Sequence, residues 1–286
     1  MLILIGYLVV LFSVFGGFVL VGGHMAALNQ PVEVLIIGGA ALGAFLASNS
    51  GKSAKATVRV LPKLVRPSRY DKDLYMELMA LLYVLLTKAR REGMMALESH
   101  VEDPGASPIF AGYPRVTADP LLVEFITDYM RLMVSGNMSA FEIETLMDEE
   151  IETFRHEMEI PANALRNVAD GLPAFGIVAA VLGVVHALAA IDQPPAVLGD
   201  LISKAMVGTF LGILLAYGFV SPLASRTDRR NAEAVKIFEC IKTTLLANLN
   251  GYPPQLAVEF GRKVAYSTER PSFIELDEHV RAVKGK

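Results

Sequence analysis

The chain has 286 residues, 53% of them hydrophobic, and a formal net charge of −4 at pH 7. This apolar fraction lies above that of a typical soluble domain, and so mild a charge gives no electrostatic reason to expect a nucleic-acid partner. The one cysteine, Cys240, excludes an internal disulfide bond and says little about the compartment.

Four apolar segments are long enough to cross a bilayer, which requires about 20 apolar residues for ~30 Å of hydrocarbon. They are residues 2–21, 34–50, 172–191 and 201–220. The first lacks a basic start and is longer than the apolar core of a signal peptide, so we interpret it as a retained span. No segment contains an interior Asp, Glu or Arg, and the polar exceptions are His186 and Lys204. We therefore expect another chain to supply the charged residues within the membrane.

The positive charges predict the orientation of these spans. Of the 26 lysines and arginines, 14 lie in residues 51–170 and 11 in residues 223–286, and Lys204 is the remaining one. The linkers 22–33 and 192–200 contain none. Because basic residues mark cytoplasmic loops, we predict that both large polar segments and both termini are cytoplasmic.

These patterns predict an all-α integral membrane protein with four transmembrane helices and a helical cytoplasmic domain. The predicted organisation is residues 1–50 for the first two transmembrane helices, 51–170 for the cytoplasmic helical domain, 171–222 for the last two transmembrane helices, and 223–286 for a cytoplasmic C-terminal helix and tail.

Within the cytoplasmic segments the apolar pattern predicts a helix over residues 74–97, an ordered loop over 102–120 and a helix over 120–134. Ser139 and Glu142 match a capping box at the start of the next helix.

That helix extends towards Asp170, with Pro161 as a potential kink. A last helix over 225–249 ends at the sequence Gly-Tyr-Pro-Pro of residues 251–254, and the final ~15 residues are predicted to be weakly ordered.

Small residues form a stripe along each of the last two spans. The stripes comprise Gly176, Ala180, Gly183 and Ala187 in one span, and Ala205, Gly208, Gly212 and Ala216 in the other. Such stripes let helices approach closely in lipid, so one interpretation is ordinary packing within the membrane. The other is that these faces line a cavity for a helix of a partner chain.

Four further residues lie in or next to these spans, and two of them, Thr209 and His186, allow two interpretations. The Thr209 hydroxyl could bond to a carbonyl of its own helix or face a water-filled ion path. His186 could be a packing residue or, less favourably, a proton relay. Pro173 could occupy the first turn of a helix. Pro222 lies where the helical pattern continues, so it should remove a hydrogen bond and bend the helix.

Enzyme chemistry has no supporting motif. Residues 49–53 approach a phosphate loop, but Leu46 stands where that loop requires glycine. The five histidines are scattered, and no Cys/His cluster has metal-ligand spacing. We expect no catalytic residue, no metal site, no cofactor and no enzymatic activity.

Three stretches of the chain resemble a known family. Residues 172–188, LPAFGIVAAVLGVVHAL, resemble the third span of flagellar motor stator A subunits, the MotA family, and residues 206–218, MVGTFLGILLAYG, resemble the fourth. The run Arg90-Arg91-Glu92-Gly93 with Glu98 resembles the family's cytoplasmic torque segment. The likeness extends over nearly the whole chain. The related TolQ and ExbB proteins share the last two spans but have three in all.

The resemblance implies an assembly that lies in the bacterial inner membrane and contacts membrane lipid. Five A subunits would surround two copies of a B subunit, MotB, whose single span bears a proton-carrying Asp. Proton flow past that Asp would rotate the A ring and turn the rotor through the switch protein FliG.

The resemblance also implies roles for particular residues. Arg90 and Glu98 would contact the rotor, Pro173 and Pro222 would couple conformations, Thr209 with Ala180 would border the ion path, and Gly176, Gly183, Gly208 and Gly212 would pack a partner helix. Eight residues correspond to about 80° around a helix, so Arg90 and Glu98 would share one broad face.

Two rival functions stay open on these residues: an energiser of outer-membrane transport like ExbB or TolQ, and a membrane scaffold without ion flow. The span count and the 90–98 segment favour the motor. Residues 172–191 offer no Ser, Thr, Asn or Asp, and the last span offers mainly Ser203 and Thr209. Since this is a poor cage for sodium, we expect the proton to be the driving ion.

Overall fold

The computed structural model describes the backbone of residues 2–284 and the side chains of residues 2–281. Every regular element among these residues is a helix, as predicted. The α-helices are Leu2–Leu11, Gly17–Leu20, Pro31–Ser48, Gly51–Val65, Lys72–Glu92, Glu98–Glu102, Pro108–Ala111, Pro114–Thr117, Pro120–Ser135, Ala140–Leu188, Pro195–Ile213, Ser221–Leu249, Pro254–Val264 and Phe273–Lys284. Wider π-helical turns occupy Phe12–Gly16 and Leu214–Val220, and tighter 3-10 turns occupy Met25–Leu28 and Met94–Leu97.

The chain divides into two compact units. The first comprises Met1–Pro67 and Met158–Arg229, and the second comprises Ser68–Glu157 and Arg230–Lys286. Four helical stretches are long and apolar enough to cross a membrane, which confirms the predicted number of spans. They are Leu2–Leu20, Met25–Ser48, Ala140–Leu188 and Pro195–Leu249, and their apolar parts are called spans one to four below.

In the first unit, spans two, three and four share a small buried cluster. Ile37 and Ala41 of span two are buried in it together with Leu172, Ala179 and Ala216. Three of these five residues are alanines. Their short side chains let the helix backbones approach closely there. Most other large apolar side chains of the spans are exposed, as expected for helices that meet lipid.

Span three continues a much longer helix, which corrects the prediction for Pro173. The helix begins at Ala140 and continues through both Pro161 and Pro173 to Leu188. Pro173 therefore does not occupy a first turn. The capping box is present at the start of this helix, where Glu142 accepts a hydrogen bond from the Ser139 amide over 2.8 Å and donates its own amide to the Ser139 hydroxyl.

The second unit has its own core, built around the helix Lys72–Glu92. Leu78, Leu82 and Leu85 of that helix are fully buried, because helices of the same unit cover several of its sides. Cys240 lies in this core. Burial raises the pKa of its thiol to about 12, so the thiol keeps its proton at neutral pH.

Three predicted boundaries in the second unit are wrong. The helix predicted over 74–97 ends at Glu92, and the stretch predicted as a loop contains two short helices, Pro108–Ala111 and Pro114–Thr117. The C-terminal residues predicted as weakly ordered form the helix Phe273–Lys284, and residues 285 and 286 lie outside the described part of the chain.

An ion pair holds that C-terminal helix to the unit. Lys72 Nζ lies 2.6 Å from Glu275 Oε1, and the Ser272 amide donates to the other oxygen of the same carboxylate. The Lys72 hydrogen bond and those from Ser272 hold the pKa of Glu275 at about 2. The carboxylate of Glu275 is therefore ionised at neutral pH.

Candidate functional site

Spans three and four meet through glycines, in direct backbone contact. A Cβ added to Gly176 would lie 2.8 Å from the Gly208 carbonyl oxygen, and one added to Gly212 would lie 2.7 Å from the Leu172 carbonyl oxygen. A Cβ on Gly183 would lie 2.6 Å from the Ala205 Cβ. No side chain can enter these spaces without moving a helix.

This geometry changes the interpretation of the small-residue stripes. The family resemblance implies that the four glycines pack against a partner helix, whereas ordinary packing within the membrane is the other interpretation of the stripes. In the structure they face the neighbouring span of the same chain, so they close the contact between spans three and four. Van der Waals packing drives helix association in lipid, and this is the ordinary intramembrane packing that the sequence left as the alternative.

Thr209 and Ala180 lie beside this contact and are partly exposed. The Thr209 hydroxyl makes no hydrogen bond to any residue that the structure describes, so the bond to a carbonyl of its own helix is not observed. The Ala180 amide nitrogen would lie 3.2 Å from a Cβ on Gly208. The two residues that the resemblance places on the ion path thus both border the crossing of spans three and four.

Glu33 is a residue at this crossing that the sequence analysis missed. The helix of span two begins at Pro31, so Glu33 belongs to its first turn rather than to the linker before it. Its side chain is buried, with 8% exposure, and its Oε2 lies 2.9 Å from the position of the Cβ that Gly208 lacks. The expectation that the spans contain no carboxyl group is therefore wrong. Pro31 was the available signal, because proline favours the first helical position.

No hydrogen bond satisfies the buried oxygen of this carboxyl group. Glu33 Oε2 has no donor within reach among the described residues. No cluster of three or more His, Cys, Asp or Glu residues with metal-binding geometry occurs in the described part of the chain. The nearest basic side chain along span four, Lys204, is held by Asp200 at 2.6 Å.

Pro222 lies immediately after a π-helical turn of the fourth span. The turn comprises Leu214–Val220, and a regular α-helix resumes at Ser221. Proline supplies no amide hydrogen and its ring collides with the carbonyl four residues earlier, so a wider turn before it relieves the conflict. The sequence predicted a bend at this place, and the observed irregularity is a change of helical register.

Span one supports the π turn. The Tyr7 hydroxyl donates a 2.8 Å hydrogen bond to the Phe219 carbonyl oxygen, and the two rings lie 4.9 Å apart. The hydroxyl therefore satisfies a backbone acceptor within the irregular turn. Irregular backbone is stable at membrane depth only where such partners exist, so this contact couples span one to the turn before Pro222.

In the second unit, Arg90 and Glu98 are both exposed, but they lie on different helices. Gly93 has a φ of 89°, which ends the helix of Arg90, and the fully buried Leu97 anchors the tight turn that follows. Glu98 starts a separate helix. The prediction that the two charges share one helix face is therefore wrong, because a glycine in this conformation redirects the chain.

Both charges are available to another molecule. Neither Arg90 nor Glu98 makes an ion pair or hydrogen bond with another described residue, whereas Lys88 is paired with Glu92 at 2.6 Å. Burial and the nearby Lys88 lower the pKa of His100, whose ring lies 2.9 Å from the Ser107 hydroxyl. The lowered pKa favours the neutral form of the His100 ring at pH 7.

Two protein-family models match most of this chain. The family model for the motility protein A N-terminal region matches residues 4–93, and that of the MotA/TolQ/ExbB proton channel family matches residues 118–240. Motility protein A of Salmonella typhimurium is 62% identical over 284 residues, which cover 99% of this chain and 96% of that protein. This chain belongs to the motility protein A family.

Other members and solved structures agree with this membership. Motility protein A of Escherichia coli is 61% identical over 99% of the chain and 96% of its own length. The flagellar MotAB stator complex of Bacillus subtilis matches with a TM-score of 0.68 at 26% identity, over 90% of this chain and 92% of that one. The solved structure of C. jejuni MotAB matches with a TM-score of 0.77 at 22% identity, over 94% of this chain and 98% of that one, which shows the shared fold.

Membership in the motility protein A family confirms the resemblance found in the sequence. The chain is a flagellar motor stator subunit of the proton channel family, with helices that cross a membrane several times. An ExbB- or TolQ-like role is not favoured.

Proposed function

We propose that this chain is the A subunit of a proton-driven flagellar stator, which binds a MotB-type B subunit and converts proton flow into torque. The observation that carries the proposal is 62% identity to a motility protein A over nearly the full length of both chains. We also propose that five copies form a ring in the inner membrane, that both termini are cytoplasmic, and that the ring turns the rotor through FliG. The concentration of basic residues in 51–170 and 223–286 supports this orientation.

In the proposed mechanism, ion movement supplies the free energy and conformational changes of the helices produce the torque. One charge crossing a potential of 100 mV releases about 2.3 kcal/mol. The B subunit's carboxylate would take up and release the proton beside Thr209 and Ala180. The π turn before Pro222, and Pro173 in span three, would then allow the helices to change conformation, and the exposed Arg90 and Glu98 would pass the motion to the rotor.

The proposal is tested by asking which membrane protein accompanies the chain. The affinity-tagged chain is expressed in its own host, extracted in mild detergent and purified, and co-purifying proteins are identified by mass spectrometry. We expect a single-span protein with an aspartate in its span, and reconstituted vesicles of the pair should dissipate a proton gradient. Purification without any such protein, or vesicles that hold the gradient, would contradict the proposal.

The choice of ion and the role of Thr209 are tested together. Motor speed should follow the proton gradient and should not change when external sodium is removed at constant proton-motive force. Thr209→Leu should abolish or strongly reduce swimming, because a bulky apolar group would occupy the path that Thr209 borders.

Thr209→Ser is the matched control for this prediction, since it keeps the hydroxyl and should preserve most of the speed. Unchanged swimming of Thr209→Leu would remove Thr209 from the path. Rotation that stops without sodium would overturn the assignment of the ion.

The rotor contact is tested by charge reversal at Arg90. Arg90→Glu should weaken swimming, and reversal of an acidic residue on the rotor protein should restore it. Exposed ion pairs contribute only about 0–1 kcal/mol each, so the expected effect of the single change is partial. The loss and the rescue of swimming are measured by the spread of cells in soft agar and by the speed of tracked cells.

Arg281→Glu reverses an exposed charge elsewhere in the same unit and should leave swimming normal. If no rotor reversal rescues Arg90→Glu while the protein accumulates normally, the contact is not made by Arg90.

A further inference from the structure

We propose that Glu33 is a proton-binding site of this chain, on the ion path and additional to the carboxylate of the partner. The inference rests on the proposed function and extends it. It begins with the place of the residue: Glu33 is in the first turn of the helix Pro31–Ser48, next to a linker without basic residues. Charge bias places this linker on the outer side of the membrane, from which protons would enter.

The surroundings of the side chain carry the inference. Glu33 is 8% exposed, and its Oε2 has no hydrogen-bond donor among the described residues. The carboxyl group contacts the crossing of spans three and four, where a Cβ on Gly208 would be 2.9 Å from Oε2 and 3.0 Å from the Ala179 Cβ. Gly208 directly precedes Thr209, so the carboxyl group and the hydroxyl of the ion path border the same crossing.

A purely structural role does not account for this arrangement. A charge buried in a membrane is costly unless it is paired or reaches water, and ionisable residues within spans mark ion pathways by default. The charged residues on the helices packed around Glu33 offer no pairing. Among the described residues, His186 of span three makes no hydrogen bond or ion pair with Glu33, and Lys204 of span four is held by Asp200 at 2.6 Å.

The chemical step is a simple relay. The protonated carboxyl group of Glu33 would lose its proton as its O–H bond breaks, and a new O–H bond would form on a water molecule that leads to the partner's carboxylate. A proton from the outer side would then restore the Glu33 O–H bond. No electron is transferred, and the only co-reactant is water.

The test measures proton flux through the purified complex of this chain with its B subunit in vesicles that contain a pH-sensitive dye. Glu33→Gln keeps the shape but cannot release a proton, and it should lower the flux at least tenfold while the B subunit still co-purifies. Glu33→Asp should retain part of the flux. Asp192→Asn removes an exposed carboxylate from the linker between spans three and four and should leave the flux unchanged.

The outcomes separate this inference from the proposed function. Unaltered chain without flux would contradict the stator proposal itself. Normal flux in both the unaltered chain and Glu33→Gln would overturn the role of Glu33 alone. If Glu33→Gln does not assemble, the infrared carbonyl band of a protonated carboxyl group decides. A band in the unaltered complex that shifts in Glu33→Asp but not in Asp192→Asn supports the site, and a spectrum that Glu33→Asp leaves unchanged overturns it.

Discussion

Gly212→Val is expected to abolish swimming and to lower the amount of folded chain in the membrane. A Cβ at Gly212 would lie 2.7 Å from the Leu172 carbonyl oxygen and 2.9 Å from the Gly176 Cα. Both neighbours are backbone atoms of span three, so relief requires the helices to separate. Overpacking of a tight contact costs about 1–3 kcal/mol, a large part of the 5–15 kcal/mol that stabilises a typical native protein.

Gly38→Val is the matched control, because no atom lies within 4 Å of a Cβ added there. Immunoblots of membrane fractions and the thermal transition of circular dichroism compare the two variants. Equal accumulation, melting and swimming of Gly212→Val and Gly38→Val would show that spans three and four do not need the glycine contact.

Pro222→Ala is expected to abolish motility while leaving assembly with the B subunit intact. Alanine restores the amide hydrogen and removes the ring, so a regular α-helix becomes favourable where the π turn Leu214–Val220 now stands. Straightening of this register would remove the Phe219 carbonyl from the Tyr7 hydroxyl. The subunit would then be held in one conformation.

Pro161→Ala is the control for this change. Pro161 also lies inside a long helix, but no π turn precedes it in the structure, so the variant should swim normally. Co-purification measures assembly, and tethered-cell rotation measures torque. If Pro222→Ala fails to co-purify with the B subunit, Pro222 is needed for assembly rather than for movement.

Much of the architecture follows from local patterns in the chain. Runs of about 20 apolar residues require membrane helices whatever their neighbours, since hydrocarbon leaves backbone groups no partner except those within the helix. The capping box of Ser139 and Glu142 is equally local, because its two hydrogen bonds join residues three apart. Helix ends were harder to predict: Gly93 interrupts an apolar pattern that by itself continues to residue 97.

The functional surfaces depended on contacts between segments far apart in the chain. A glycine stripe has the same appearance whether it faces a partner or a neighbouring span, and only the placement of Gly176 against Gly208 distinguished them. The sequence does not tell whether Glu33 ends a linker or begins a helix. Only its packing against Gly208 in the folded chain shows that its carboxyl group is buried.

Composition and periodicity therefore establish the number of spans and the helical class, and charge bias predicts the orientation. These properties follow from local sequence because each segment adapts to the solvent that it meets. The partners of Gly212, Tyr7 and Glu33 arise from how helices pack, which depends on side chains separated by up to 212 residues, as in the bond from Tyr7 to Phe219. Such pairings are cooperative properties of the folded chain, and no local pattern encodes them.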